Sequence, residues 1–144
     1  DVPTALLPFR QPNTPHSASA DGLPPNIPRT YVAIGLTATA ATLNNFATAG
    51  QVWLSLHNEQ GSLFGGPLVY ELRLNGKAGP LLATGVVEDL VFNRLAIRYD
   101  PAAGVVSASV NGIELGSHPL QITPGYAGFE GVGLMDNFVI RTAP

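Results

Sequence analysis

Few residues in this chain have the type and spacing that chemistry requires. Glu88 and Asp89 form the one adjacent acidic pair. Hydrolysis of a glycosidic bond needs two convergent carboxylates, about 5 Å apart in one stereochemistry and about 6.5–9.5 Å in the other. Neighbours on a strand point to opposite faces, so Glu88 and Asp89 do not converge and read as a turn or strand edge. Glu71 and Arg73 stand two apart on one strand face, the spacing of an ion pair. The three histidines, His16, His57 and His118, show neither His-x-His nor His-Glu-x-x-His spacing, so zinc is unsupported. Ser117-His118 lacks a Gly-x-Ser-x-Gly elbow and an acid to orient the imidazole. No cysteine is present, which excludes disulfides, cysteine-held metals and thiol catalysis. No catalytic set emerges, and a non-enzymatic role is expected.

Aromatic side chains offer a different chemistry, stacking and interface anchoring. Trp53 is the single tryptophan and alternates with Val52, Leu54 and Leu56. It faces outward if those three face the core, unless both faces of the strand are covered. Tyr70 and Tyr126 are further candidates for contact with a glycan or a protein partner.

The elements that must position these residues follow a period of two. Residues 30–42, 51–57, 68–74, 90–99, 105–110, 113–115 and 138–142 alternate in the manner of half-buried antiparallel strands. Asn111-Gly112 is a two-residue hairpin signal of type I′, and Asp100-Pro-Ala-Ala-Gly104 is a tight turn. Residues 42–50 read as a loop, because Gly50, the threonines and Asn44-Asn45 make a poor helix. The expectation is an all-β, two-sheet antiparallel sandwich over residues 30–144.

Residues 1–29 differ from the rest. Seven of the 13 prolines fall there, and proline removes an amide donor and fixes φ. The segment is expected to run as an extended arm on a surface, with Val2, Leu6, Leu7, Phe9, Leu23 and Ile27 as apolar anchors. Its prolines forbid pairing on both sides. Contact with an adjacent subunit is expected, the alternative being a strand returned to its own sandwich beside residues 138–141.

Composition bounds the partners. Charged residues are 12% of the 144, about half the usual share, and Lys77 is the sole lysine. A net charge of −3 argues against nucleic acid and against a polybasic membrane contact. No apolar run has the length of a transmembrane helix. The start at Asp1-Val-Pro, without methionine, reads as a processed end and suggests a secreted or cell-surface protein.

The segment from Leu90 to Arg141 resembles the second half of a concanavalin A-like, laminin-G-like jelly roll. The matching stretches are Arg94-Leu-Ala-Ile-Arg-Tyr-Asp100, Gly104-Val-Val-Ser-Ala-Ser-Val-Asn-Gly112, Tyr126-Ala-Gly-Phe-Glu-Gly-Val-Gly133 and Met135-Asp-Asn-Phe-Val-Ile-Arg141. The resemblance implies two curved sheets and no single function, since the family includes lectins, glucanases, adhesion domains and shell proteins. The glucanases' Glu-x-Asp-x-Glu spacing is absent, as is the legume-type lectins' acidic metal cluster. The resemblance suggests Asp136 and Asn137 as a calcium candidate, with structural bonding to the preceding turn as the alternative. The expected function is a structural subunit of an extracellular assembly, a homo-oligomer packing through sandwich and arm. A secreted glycan-binding module is the alternative, with a glycan hydrolase the least favoured reading.

Overall fold

The computed structural model describes residues 4–8, 16–24, 30–38, 51–58, 67–75, 79–122 and 125–142. It contains eleven strands, β1 (Thr4–Pro8), β2 (His16–Leu23), β3 (Thr30–Thr37), β4 (Gln51–Asn58), β5 (Leu68–Leu74), β6 (Leu81–Val87), β7 (Asn93–Asp100), β8 (Val105–Val110), β9 (Ile113–Pro119), β10 (Tyr126–Gly131) and β11 (Leu134–Thr142). One sheet has the order β1-β10-β3-β4-β5-β6 and the other β11-β2-β7-β8-β9. All pairings are antiparallel. No helix among the described residues is long and apolar enough to cross a membrane.

The core lies between the sheets. Val32, Ile34 and Leu36 of β3, with Val52, Leu54 and Leu56 of β4, meet Leu95, Ile97 and Tyr99 of β7 and Val106 and Val110 of β8. Each set recurs every second residue, with Ala108 completing that of β8, so the alternation read from the sequence is the alternation that is buried. Turn chemistry sets the register. Asn111 (φ 53°) and Gly112 (φ 80°) both occupy the left-handed region that a type I′ hairpin demands. The Asn111 carboxamide accepts from the Arg94 amide at 2.8 Å and donates to Asn93 Oδ1 at 2.8 Å, tying this turn to β7. Asp100 Oδ1 accepts from the Ala102 and Ala103 amides at 3.0 and 3.3 Å, closing the β7–β8 turn.

The N-terminal residues do not form one separate arm. Residues 16–23, between Pro15 and Pro24, are free of proline and form β2, an interior strand between β11 and β7. Ala18 and Ala20 are fully buried in the core, while Ser17, Ser19 and Asp21 on the other face are half-buried. Small residues suit this position because β2 and β3 approach closely. A Cβ on Gly22 would lie 2.9 Å from Val32 Cγ2. The strand returns beside the closing strand, pairing Ala18 with Ile140 and Ser17 with Arg141. Leu23 is thus the last residue of an interior strand, not an anchor of a free arm. Leu6 and Leu7 fall in β1, which adds to the edge of β10 in the same chain, opposite Gly128 and Ala127. An edge is where a segment with proline at position 8 can pair. Val2, Phe9, Ile27 and the loop expected over residues 42–50 lie outside the described residues.

Because β2 is interior, deleting residues 1–22 should abolish cooperative urea unfolding of the remainder, rather than detach an accessory arm. A truncated chain that unfolds cooperatively at the same midpoint would contradict this placement.

Candidate ligand-binding face

Strand β4 presents a second set of side chains on the face away from the core. Gln51, Trp53, Ser55 and His57 alternate with the core residues, and the pairing register extends each across neighbouring strands. Tyr31, His57 and Val69 form one row. Ala33, Ser55 and Glu71 form the next, with Glu130 beyond Ala33 and Thr84 beyond Glu71. Gly35, Trp53 and Arg73 form a third. Small residues at 33, 35 and 55 leave room for the large ones around them.

These side chains are bonded to one another. The Tyr31 hydroxyl donates to Glu130 Oε1 at 2.6 Å. The Tyr31 ring stacks on His57 at 5.5 Å between centroids and 28° between planes, and meets Trp53 at 5.3 Å and 56°. Glu71 joins two nitrogen partners, one on each oxygen. Its Oε1 is 3.2 Å from His57 Nε2, and its Oε2 accepts from Arg73 Nη2 at 2.7 Å. Arg73 Nη1 also donates to the Gly79 carbonyl at 2.8 Å. Farther along the face, the Gln51 carboxamide donates to Thr37 Oγ1 at 3.0 Å.

Exposure varies across the face. Trp53 and Ser55 are fully buried and Glu130 is 1% exposed, whereas the side chains of His57, Glu71 and Arg73 keep 21%, 18% and 23%. The arrangement is a buried floor with a polar rim that solvent reaches. Such a rim offers paired acceptors and a forked donor, suited to hydroxyl-rich ligands, beside an aromatic face suited to C–H contacts. Burial raises the Tyr31 pKa well above its ordinary 10.0, and the hydrogen bond and negative charge of Glu130 push it the same way.

The structure disperses several of the residues singled out in the sequence. Trp53 is not an outward stacking platform. It lies on the outer face of β4 as the alternation required, but it is buried there with Ala33 and Tyr31 packed against it. Tyr126 lies on the same face, half-buried, across from Thr37. Tyr70 points to the core side and lines a cavity of about 250 Å³ with Val86, Val110, Asn111, Ile113 and Leu115. The space for its ring exists because residue 85 is glycine, where a Cβ would lie 2.5 Å from Tyr70.

Asp136 and Asn137 sit at a bulge in β11, where Asn137 has φ 52°. The Asn137 amide donates to Asp136 Oδ1 at 2.8 Å, and its carboxamide donates to Asp21 Oδ2 at 2.7 Å. Both side chains thus shape the bulge. Among the described residues no group of three or more His, Cys, Asp or Glu side chains gathers as a metal site would need. His118 bonds the Leu115 carbonyl at 3.1 Å, and His16 is buried at the start of β2. At Glu88 and Asp89 the chain turns, with Asp89 Oδ1 accepting from the Leu90 amide at 2.8 Å.

Sequence reasoning paired Glu71 with Arg73 and missed the rest of the cluster. Tyr31 and Glu130 are 99 positions apart and carry no local signal of partnership. Serine 55 and His57 could have been found from the β4 alternation, which puts them on the face of Trp53.

The fold is the concanavalin A-like jelly roll that solved structures share. Carbohydrate-binding module CBM66 from Bacillus subtilis superposes with a TM-score of 0.63 at 8% identity, over 99% of this chain and 84% of that one. CG-16, a homodimeric agglutinin from chicken liver, gives 0.57 at 11% identity, covering 96% and 99%. The marine PL7 alginate lyase AlyA1 from Zobellia galactanivorans gives 0.58 at 10% identity, covering 96% and 65%. No protein-family model and no curated protein sequence matches the chain.

Tyr31 links this face to stability. A pKa raised on folding means that the associated stabilisation is whole below pH ~10, the value of an unfolded tyrosine, and drains away as pH climbs toward the folded value. Tyr31→Phe should cost about 1 kcal/mol at neutral pH through the lost hydrogen bond. It should also flatten the fall in stability above pH ~10. Urea unfolding of both proteins from pH 7 to 11.5 measures this, and parallel alkaline losses in the two would contradict it.

Proposed function

We propose that this domain is a non-catalytic glycan-binding module acting outside the cell, and that it binds through the rim formed by Tyr31, His57, Glu71 and Arg73. The observation that carries the reading is Glu71, a carboxylate bridging an imidazole and a guanidinium at a partly exposed face beside a stacked tyrosine. A carboxylate and a guanidinium side by side can engage vicinal hydroxyls with an acceptor and a donor together. The side chains already hold one another in place, so little rotamer freedom remains to be lost on binding. The fold adds weight, since solved neighbours include a carbohydrate-binding module, an agglutinin and a lectin from Bauhinia forficata in complex with GalNAc.

The expected role as a structural subunit draws no comparable support from those neighbours. A lyase shares the fold; we read this face as a binding surface because Tyr31, His57, Glu71 and Arg73 are already engaged with one another or with Glu130.

An array of polysaccharides and oligosaccharides, followed by calorimetry on the best hit, tests the proposal. Arg73→Ala should weaken that hit tenfold or more while the thermal midpoint moves by a few degrees at most. Retained affinity in Arg73→Ala, or a chain that captures no glycan, would overturn it.

A further inference from the structure

The cavity of about 250 Å³ beside Tyr70 lies on the seam between the sheets, with β6 of one sheet and β9 of the other both in its lining. Its inner wall is the core itself, since Val110 is buried and Val87 and Leu115 pack against core residues. Its outer wall is Val86 and Ile113, each 70% exposed, so solvent reaches it. A local choice of residue gives the cavity its shape. Tyr70 and Gly85 are cross-strand partners on β5 and β6. A Cβ on Gly85 would lie 2.5 Å from the Tyr70 ring and 2.7 Å from its hydroxyl, so any larger residue would push the phenol from this position.

The two side chains that bring polar groups to the lining differ in how they are used. The Asn111 carboxamide is committed, accepting from the Arg94 amide and donating to Asn93. The Tyr70 hydroxyl has no hydrogen-bond partner among the described residues. No carboxylate, amine, guanidinium or imidazole lines the cavity, so a charged ligand would lose its hydration with nothing to pair with. A sugar would leave most of its hydroxyls unpaired there. The β6–β7 loop, tied to Asn111 through Asn93, adds Leu90 and Phe92 at 63% and 47% exposure. Leu90 has φ 61°, a left-handed backbone that a bulky residue rarely adopts, and the Asp89 carboxylate holds it there by accepting from its amide. Backbone strain of this kind gathers at ligand clamps, and here it holds an apolar side chain out in water.

We propose that this cavity is a second ligand site, taking a small uncharged amphiphile: a compact apolar body with one hydroxyl or carbonyl that hydrogen-bonds the Tyr70 hydroxyl. Size follows from volume. An apolar cavity of about 150 Å³ holds benzene, and sites for drug-sized ligands begin near 300 Å³, so this one suits a body of roughly ten non-hydrogen atoms. The site is independent of glycan binding, because Tyr70 and Glu71 are consecutive on β5 and point to opposite faces of the sheet.

A chemical-shift titration of the isotope-labelled 144-residue chain with 4-propylphenol, and separately with propylbenzene, tests the proposal. Saturable methyl shifts are expected at Val86, Val87, Val110, Ile113 and Leu115, with Tyr31 and Arg73 unmoved. Water holds the phenol more strongly than the hydrocarbon, so a purely apolar hollow prefers propylbenzene. With Tyr70 supplying a hydrogen bond, 4-propylphenol should bind at least as tightly as propylbenzene. Tyr70→Phe should weaken the phenol about tenfold and change propylbenzene by no more than about twofold. Shifts that fail to saturate, or that scatter equally over the exposed Leu81, Val132 and Leu134, would overturn the proposal. So would a preference of the unaltered chain for propylbenzene, or a Tyr70→Phe change that affects both probes alike. Should Tyr70→Phe fail to fold, the order of the two affinities in the unaltered chain decides alone.

Discussion

Strand β4 is sealed on both sides, and much of the molecule follows from that. Val52, Leu54 and Leu56 are buried in the sandwich core, and Gln51, Trp53 and Ser55 are buried on the opposite face. A strand with one wet face can carry any polar side chain outward, but a strand covered on both must satisfy each polar group it buries. Gln51 meets that demand by donating to Thr37, and on the neighbouring strands the Tyr31 hydroxyl donates to Glu130. Toward β5 the cover thins, and the side chains of His57, Glu71 and Arg73 are partly exposed, with Glu71 in contact with the other two. The rim proposed to bind a ligand is the place where that demand is met by polar groups on a partly exposed face.

The opposite sheet obeys a different constraint, close approach. Gly22 nearly touches Val32, and alanines at 18 and 20 keep β2 thin where it crosses β3. That closeness explains why so much of the sequence legibility was lost at β2. Alternation was plain where the buried residues are Val, Leu and Ile, as in β3, β4, β7 and β8, and the Asn111-Gly112 turn announced its own geometry. In His-Ser-Ala-Ser-Ala-Asp-Gly-Leu the same period is written in alanine and glycine against serine and aspartate, a faint hydrophobic contrast overshadowed by the flanking prolines. Trp53 was placed on the correct face, but whether that face is open is a tertiary property that no strand pattern encodes. The Tyr31–Glu130 bond likewise depends on β10 lying beside β3, a topological fact.

A shared sandwich does not decide a shared chemistry. The solved neighbours include binding modules and a lyase at identities of 8–14% across the set, so what this chain does must come from its own face. On that face Glu71 pairs with Arg73 and His57, and Glu130 accepts from Tyr31, whose ring stacks on His57. Such internal pairing suits neutral, hydroxyl-rich ligands more than strongly charged ones, since a charged ligand would break internal pairs to form its own.

The central claim is that the outer face of the six-stranded sheet is where a ligand engages. The most direct measurement is an amide and side-chain chemical-shift titration of isotope-labelled protein with the best-binding oligosaccharide. The account predicts saturable shifts centred on Tyr31, His57, Glu71 and Arg73, with β7 and β8 of the opposite sheet unmoved. Shifts confined instead to the opposite sheet, or to the Tyr70 cavity between β6 and β9, would contradict it.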